Sequence, residues 1–170
     1  MSYGIYLFSV WLHIMAAVVW IGGTIFLVIV LVPAIRRPEF TGVAPALIRW
    51  TALRFRWVGW FCFAIFVITG FANLSFRGVG LGQLQSSDFW HSGFGGTLAI
   101  KLVIVAAILA LSGYHDFFVG PRASIAMQAN PGATETLGLR RQAIRLGRLN
   151  LLLALAVIVL GAVLVRGTPW

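Results

Sequence analysis

The chain has 170 residues, of which 60% are hydrophobic and 10% are charged, and its formal net charge is +9. This composition is too apolar for a water-soluble domain of the same length, so it indicates an integral membrane protein. Three of the 4 acidic residues lie outside the apolar stretches, and Asp116 lies at the end of one of them. This disfavours ordinary hydrolytic chemistry, because no set of nucleophile, base and orienting group can be assembled.

Four apolar stretches are each long enough to cross a hydrocarbon core of roughly 30 Å as a helix. They cover about residues 5–35, 57–75, 96–118 and 146–165. We therefore predict an all-α integral membrane protein, an antiparallel four-helix bundle that forms a single domain over residues 1–170. Whether the protein is an enzyme stays open at this stage, and no catalytic residue is assigned.

The first span carries the most informative residue, His13, which lies well inside an apolar stretch. At helical spacing it heads a stripe of small and amphipathic side chains, namely Ala16, Ala17, Trp20 and Thr24. We expect His13 to point into the bundle, because exposing an ionisable group to hydrocarbon is costly. Two interpretations stay open. One is a structural histidine bonded to a carbonyl, or to Thr or Asn of a neighbouring helix; the other is a metal ligand, a haem ligand or a proton relay.

The two connections on one side of the predicted bundle are rich in arginine. They contain Arg36, Arg37, Arg49, Arg54, Arg56, Arg122, Arg140, Arg141, Arg145 and Arg148. Only Arg77 and Arg166 lie on the other side, so the positive-inside rule places both termini outside. The basic excess then faces anionic head groups on the cytoplasmic side, and we infer no nucleic-acid partner. Thr41 is expected to act as an N-cap, and Thr134 with Glu135 to open the fourth helix below the membrane.

The connection between the second and third spans, residues 76–95, is rich in glycine and polar residues and is predicted to be a flexible loop. It contains His91, which is either a solvated loop residue or a ligand that closes over a site on the outer face. The single cysteine, Cys62, lies in the second span and is expected to pack as a small hydrophobe. A lone cysteine excludes an intramolecular disulfide and a cysteine-based metal cluster.

The third span contains Lys101, which falls in the same layer as His13, roughly 8 to 14 Å below the outer interface at helical rise. Its side chain either snorkels toward the outer head groups or faces inward as the counter-charge to an anion such as a haem propionate or a substrate carboxylate. His115 lies about 20 Å from that layer. We expect it to cap the C-terminus of the third helix and to pair with Asp116.

Two segments carry a resemblance to a known family. The first-helix pattern HIMAAVVWIGG from His13 to Gly23, and the third-helix pattern that begins Lys101-Leu102 and ends YHDFFVGPR, resemble the copper-resistance D (CopD-like) integral membrane domain. The resemblance covers most of the chain, although larger members of that family carry more helices. It implies a multi-pass protein of a bacterial-type inner membrane, associated with copper uptake or tolerance, with His13, Trp20 and Lys101 at its site.

A looser likeness relates the chain to haem-associated membrane proteins of the protoporphyrinogen oxidase HemJ type, with His13 as a haem b ligand and Lys101 beside it. Three classes of function stay open. The first is copper or haem handling at His13, with His91 or the more weakly placed Met15 as a second ligand. The second is a haem-dependent oxidoreductase. The third is a non-catalytic accessory subunit that docks onto other membrane subunits of a larger electron-transfer complex.

Overall fold

The computed structural model describes residues 3–130 and 132–167. In chain order the helices are α1 (Tyr3–Ala34), α2 (Ala44–Phe76), α3 (Leu81–Gln85), α4 (Ser87–His91), α5 (Gly93–Ala129) and α6 (Thr134–Arg166). The four long helices α1, α2, α5 and α6 are each apolar and long enough to cross a membrane, and the described ranges contain no strand. The predicted all-α membrane fold with four spans is confirmed.

The long helices run past the apolar stretches at one end of the bundle. Helix α2 begins at Ala44 and α6 at Thr134, so the prediction that Thr134 and Glu135 open the last helix is confirmed. The prediction for Thr41 is wrong, because α2 begins three residues later and the Thr41 hydroxyl donates to the Pro38 carbonyl instead. Helical hydrogen bonding continues beyond these apolar stretches, so the turns that carry the arginines belong to the same helices.

Two ends of the bundle can be distinguished by charge. The arginine-rich end is where α1 and α5 finish and where α2 and α6 begin, and it carries the ten arginines of the two basic connections. The arginine-poor end holds the start of α1, the α3 and α4 turns, and the last turn of α6. It carries only Arg77 and Arg166 as arginines.

Each of the two long helices with a proline beyond its first turn, α1 and α5, has a widened π-helical turn just before that proline. The segment Leu27–Leu31 precedes Pro33 in α1, and His115–Val119 precedes Pro121 in α5. A proline ring clashes with the preceding helical turn and lacks an N–H donor, and a widened turn lets the helix continue past it. The prediction that His115 caps a helix C-terminus is therefore wrong, because α5 continues to Ala129. Its predicted pairing with Asp116 is confirmed at 2.9 Å.

The bundle consists of two closely packed helix pairs, α1 with α2 and α5 with α6, which meet through α1 with α6 and through α2 with the last part of α5. All four helices contribute to one buried cluster, formed by Ala16, Trp20, Ile21, Cys62, Phe63, Ile108 and Ala154. Cys62 is a buried core residue, as the sequence predicts. The outward-facing positions are large apolar side chains, for example Phe61, Ile68 and Val103. Such a surface fits hydrocarbon rather than water.

The connection between α2 and α5 is more ordered than the predicted flexible loop. It contains the short helices α3 and α4, and the Trp90 indole donates a hydrogen bond to the Leu84 carbonyl at 2.9 Å, which ties the two together. The Ser92 hydroxyl then accepts from the Gly95 N–H at 3.0 Å and caps α5. These local side-chain to backbone bonds give a glycine-rich segment a defined path.

Candidate functional site

His13 lies between α1 and α2 in the half of the bundle near the arginine-poor end. Its Nδ1 lies 2.7 Å from Oγ1 of Thr69. The Thr69 hydroxyl donates its own proton to the Ile65 carbonyl at 2.6 Å. With the single proton of that hydroxyl directed to the Ile65 carbonyl, His13 Nδ1 is assigned as the donor in the His13–Thr69 bond. Nε2 is then the nitrogen that keeps a free lone pair.

Close packing between α1 and α2 makes this contact. Ala16 and Trp20 follow His13 on the buried side of α1, and both are under 10% exposed. Opposite them, Gly59 lies directly beneath the Trp20 indole, where an added Cβ would be 3.5 Å from the ring. Small residues allow two membrane helices to approach this closely. The predicted packing stripe of the first helix is confirmed, and it brings the imidazole within reach of Thr69.

Aromatic rings close the side of the site that faces the middle of the bundle. The His13 ring packs edge-on against Phe66 with 5.1 Å between centroids. Trp20 packs edge-on against Phe63 at 4.9 Å and against Phe66 at 6.4 Å. Trp20 therefore supports the ring that supports His13. These contacts fix the plane of the imidazole and line one side of it with apolar rings.

Lys101 approaches the same region from α5. A Cβ added to Gly161 of α6 would lie 3.6 Å from Nζ, so the ammonium reaches between α5 and α6. Its charge acts on the His13 imidazole, and the Arg77 charge acts on Lys101 in turn. Arg77 is itself held by a 2.8 Å bond from Nη1 to the carbonyl of Leu164 in the last turns of α6.

The charge in this half of the protein is not balanced by acid. Glu39, Asp116 and Glu135 belong to the arginine-rich half, and Asp88 lies on α4. Within residues 3–130 and 132–167 the one ion pair is His115 with Asp116. The interior around His13 therefore carries uncompensated positive charge from Lys101, which disfavours a cation and favours an anion.

The other candidate ligands lie apart from this arrangement. His91 is exposed on α4, where its Nδ1 donates to the Ser87 carbonyl at 2.8 Å. Met15 is 37% exposed and lies among lipid-facing residues of α1. His115 belongs to the arginine-rich half. Across the part of the chain that the structure describes, no three His, Cys, Asp or Glu side chains group together as metal ligands.

Sequence reasoning left open a Thr or Asn partner for His13 on a neighbouring helix, but it did not identify which residues of α2 form that side of the site. Thr69 is the hydrogen-bond partner of His13, and Asn73 follows it one helical turn later on the same face. On α1, Ser9 precedes His13 by the same four-residue step and is also buried. Polar residues four apart within an apolar span were the available signal, since such pairs share one face of a helix.

The fold and the site together define a class of protein. It is a multi-pass helical membrane protein that holds an oriented imidazole between two of its four spanning helices, in one half of the bundle. The sequence profile of copper resistance protein D matches residues 49–164. The chain belongs to the copper resistance protein D family. The matched region includes Thr69 and Lys101, whereas α1 with His13 and Trp20 lies before it. No curated protein and no solved structure matches the chain.

Proposed function

We propose that this protein handles copper at His13, with the imidazole Nε2 as a ligand for copper as it passes through one half of the bundle. The observation that carries the proposal is the His13–Thr69–Ile65 chain of hydrogen bonds. Histidine ligands in metal sites characteristically donate their second ring N–H to a protein acceptor, which fixes the tautomer and the ring orientation. Imidazole nitrogen is also a ligand that suits copper.

The surroundings of His13 favour a weak site rather than a storage site. No group of three His, Cys, Asp or Glu side chains occurs among the described residues. The donors available to a metal at His13 would therefore be one nitrogen and a few oxygen atoms. The nearby charge of Lys101 also opposes a bound cation. Weak binding suits cargo that must leave again, in keeping with the copper-resistance family to which the chain belongs.

The test is a metal analysis beside an absorption spectrum of the protein purified in detergent. Copper that co-purifies or titrates to one ion per chain, with no Soret band, supports the proposal. A Soret band with no copper would support a haem protein. If neither copper nor haem is bound, the accessory-subunit alternative becomes the better one, because the long apolar helix faces would then be docking surfaces.

Haem b at His13 is the second candidate, and the positive charge around the site is the observation that favours it. Lys101 and Arg77 would then pair with propionates, and the likeness to proteins of the HemJ type points the same way. The bound group, when present, would supply redox chemistry. His13 would hold the haem iron, and Lys101 and Arg77 would orient the edge of the haem that carries the propionates.

Replacing Lys101 with methionine distinguishes the two candidates by the sign of the effect. At an effective dielectric of about 20, two unit charges on the order of 10 Å apart interact by roughly 1.7 kcal/mol. Loss of the ammonium should therefore strengthen copper binding by roughly tenfold, and should weaken binding of an anionic haem. Isothermal titration with copper and the haem content of membranes measure the two effects. An unchanged copper affinity would contradict the placement of this charge beside His13.

Replacing Thr69 with valine should weaken copper binding by about 10- to 100-fold, because the imidazole loses the acceptor that holds its Nδ1–H. The change is nearly isosteric, so the helices should still pack. Thr97 provides a matched control. Its hydroxyl is also buried and also donates to a carbonyl four residues back, that of Gly93, but it contacts no imidazole. Thr97→Val should leave the affinity unchanged, and equal effects of the two variants would argue against a positioning role for Thr69.

We also propose that both termini lie outside a bacterial-type inner membrane, with the arginine-rich end against anionic head groups of the cytoplasmic leaflet. The ten arginines of that end support this orientation through the positive-inside rule. An alkaline phosphatase reporter fused after Trp170 should be active, because that enzyme folds only in an oxidising compartment. The same reporter inserted in the α1–α2 connection should be inactive. The reverse pattern would overturn the orientation.

A further inference from the structure

Two buried polar atoms near the His13 site have no hydrogen-bond partner within the described residues. They are Oγ of Ser9, on α1, and Oδ1 of Asn73, on α2. Ser9 is only 8% exposed. A buried hydroxyl or amide oxygen without a partner costs about 1–3 kcal/mol in proteins, and in hydrocarbon the cost is larger. Such groups are retained where water or another ligand satisfies them.

The register between α1 and α2 brings these two residues to the same level. Tyr6 packs on Phe76 with 5.4 Å between ring centroids, and His13 bonds to Thr69. Between these two contacts, antiparallel pairing places Ser9 opposite Asn73. Both positions lie one helical turn, about 6 Å, from the His13–Thr69 pair on the side of the arginine-poor end.

We propose that Ser9 and Asn73 form a hydration site, which holds water between α1 and α2 and gives small hydrophilic ions access to His13 from the arginine-poor end. A bound water needs two to four polar partners, and Ser9 Oγ, Asn73 Oδ1 and the His13 layer supply them. The access route ends at the aromatic wall of Phe66, Phe63 and Trp20, which separates it from the bundle centre. The inference rests on the proposed function only in naming His13 as the destination.

The other unpartnered amide oxygen inside a helix pair differs in its surroundings. Asn150 of α6 also has a buried Oδ1 without a partner in the described chain, but its Nδ2 donates to Ser112 Oγ at 2.7 Å. This pair lies between α5 and α6, on the far side of the aromatic wall. It provides a matched buried polar position that the proposed route does not reach.

Substituted-cysteine labelling tests the hydration site directly. In a Cys62→Ala background, Ser9→Cys and Asn73→Cys should react with a membrane-impermeant, positively charged methanethiosulfonate added to the arginine-poor side. The thiolate is the reacting form, and it forms only where water reaches the sulfur. Phe8→Cys is the control at equal depth, since Phe8 faces lipid at 60% exposure. Ser112→Cys is the buried control. We expect labelling of Ser9→Cys and Asn73→Cys to be on the order of tenfold faster than both controls.

The outcomes separate this inference from the copper proposal, because labelling is measured without copper. Fast labelling supports the hydration site even if copper titration of the unmodified protein fails. Labelling of folded Ser9→Cys and Asn73→Cys that is no faster than that of Phe8→Cys overturns it, even if copper binds. Elution of each variant as a single species in detergent establishes folding. If one cysteine variant does not fold, the rate at the other position decides.

Discussion

Replacing His13 with leucine is expected to abolish copper binding while the bundle stays folded. The leucine keeps apolar bulk against Phe66 and loses one hydrogen bond to Thr69, which costs on the order of 1 kcal/mol. Removing a partner that only orients a ligand lowers metal affinity by about 10- to 100-fold, so removing the ligand itself should exceed that range. Copper titration of purified protein, with thermal unfolding in the same detergent, measures both effects.

The two remaining histidines are the natural controls for this variant. His115→Ala should leave copper affinity unchanged, because His115 is paired with Asp116 in the arginine-rich half. His91→Ala should also leave the affinity unchanged, because His91 is exposed on α4 and lies apart from His13; a lower affinity with persisting binding would support the sequence-based hypothesis of a second ligand. Wild-type copper affinity and copper tolerance in the His13→Leu variant would contradict the proposed site.

The buried face of the first helix could be predicted because helical periodicity is local. Steps of three and seven residues from His13 fall on Ala16 and Trp20, and both are buried in the bundle. The partner of that face could not be predicted, because the register between two antiparallel helices depends on how their whole surfaces fit. Thr69 and Asn73 belong to the site because α2 packs closely against α1 at Gly59.

The error at His115 has a physical cause. The end of an apolar stretch predicts the end of a helix from local composition alone. In the protein, a π-helical turn at His115–Val119 absorbs Pro121, and packing of α5 against α6 continues beyond it. Tertiary contacts therefore extended a helix that local chemistry would have ended.

The residues that match the family include only part of the candidate site. Thr69, Asn73 and Lys101 lie within the matched residues 49–164, whereas Ser9 and His13 lie on α1, before the match begins. The site is therefore shared between the matched region and a helix outside it. Variants on α2 and α5 test the contribution of the family region, and variants on α1 test whether the first helix supplies the ligand.

Replacing Gly95 with alanine is expected to disrupt the packing of α4 on the first turn of α5. Gly95 is buried, and a Cβ there would overlap the backbone carbonyl group of Phe89 and lie 3.0 Å from the Trp90 Cα. Because the obstructing atoms are backbone rather than the end of a flexible side chain, α4 must shift as a unit. We expect the free energy of unfolding to fall by about 1–3 kcal/mol or more, and the α4 amides to lose protection from hydrogen exchange.

Gly96 provides the matched control for this prediction, since it adjoins Gly95 in the same turn. A Cβ at Gly96 would lie 3.6 Å from the Trp90 carbonyl oxygen, an ordinary van der Waals distance. Gly96→Ala should therefore be neutral or slightly stabilising, because alanine favours the helix by about 1 kcal/mol over glycine. Thermal unfolding and hydrogen exchange of both variants in one detergent give the comparison. Equal behaviour of Gly95→Ala and Gly96→Ala would show that α4 does not pack on α5 through this glycine.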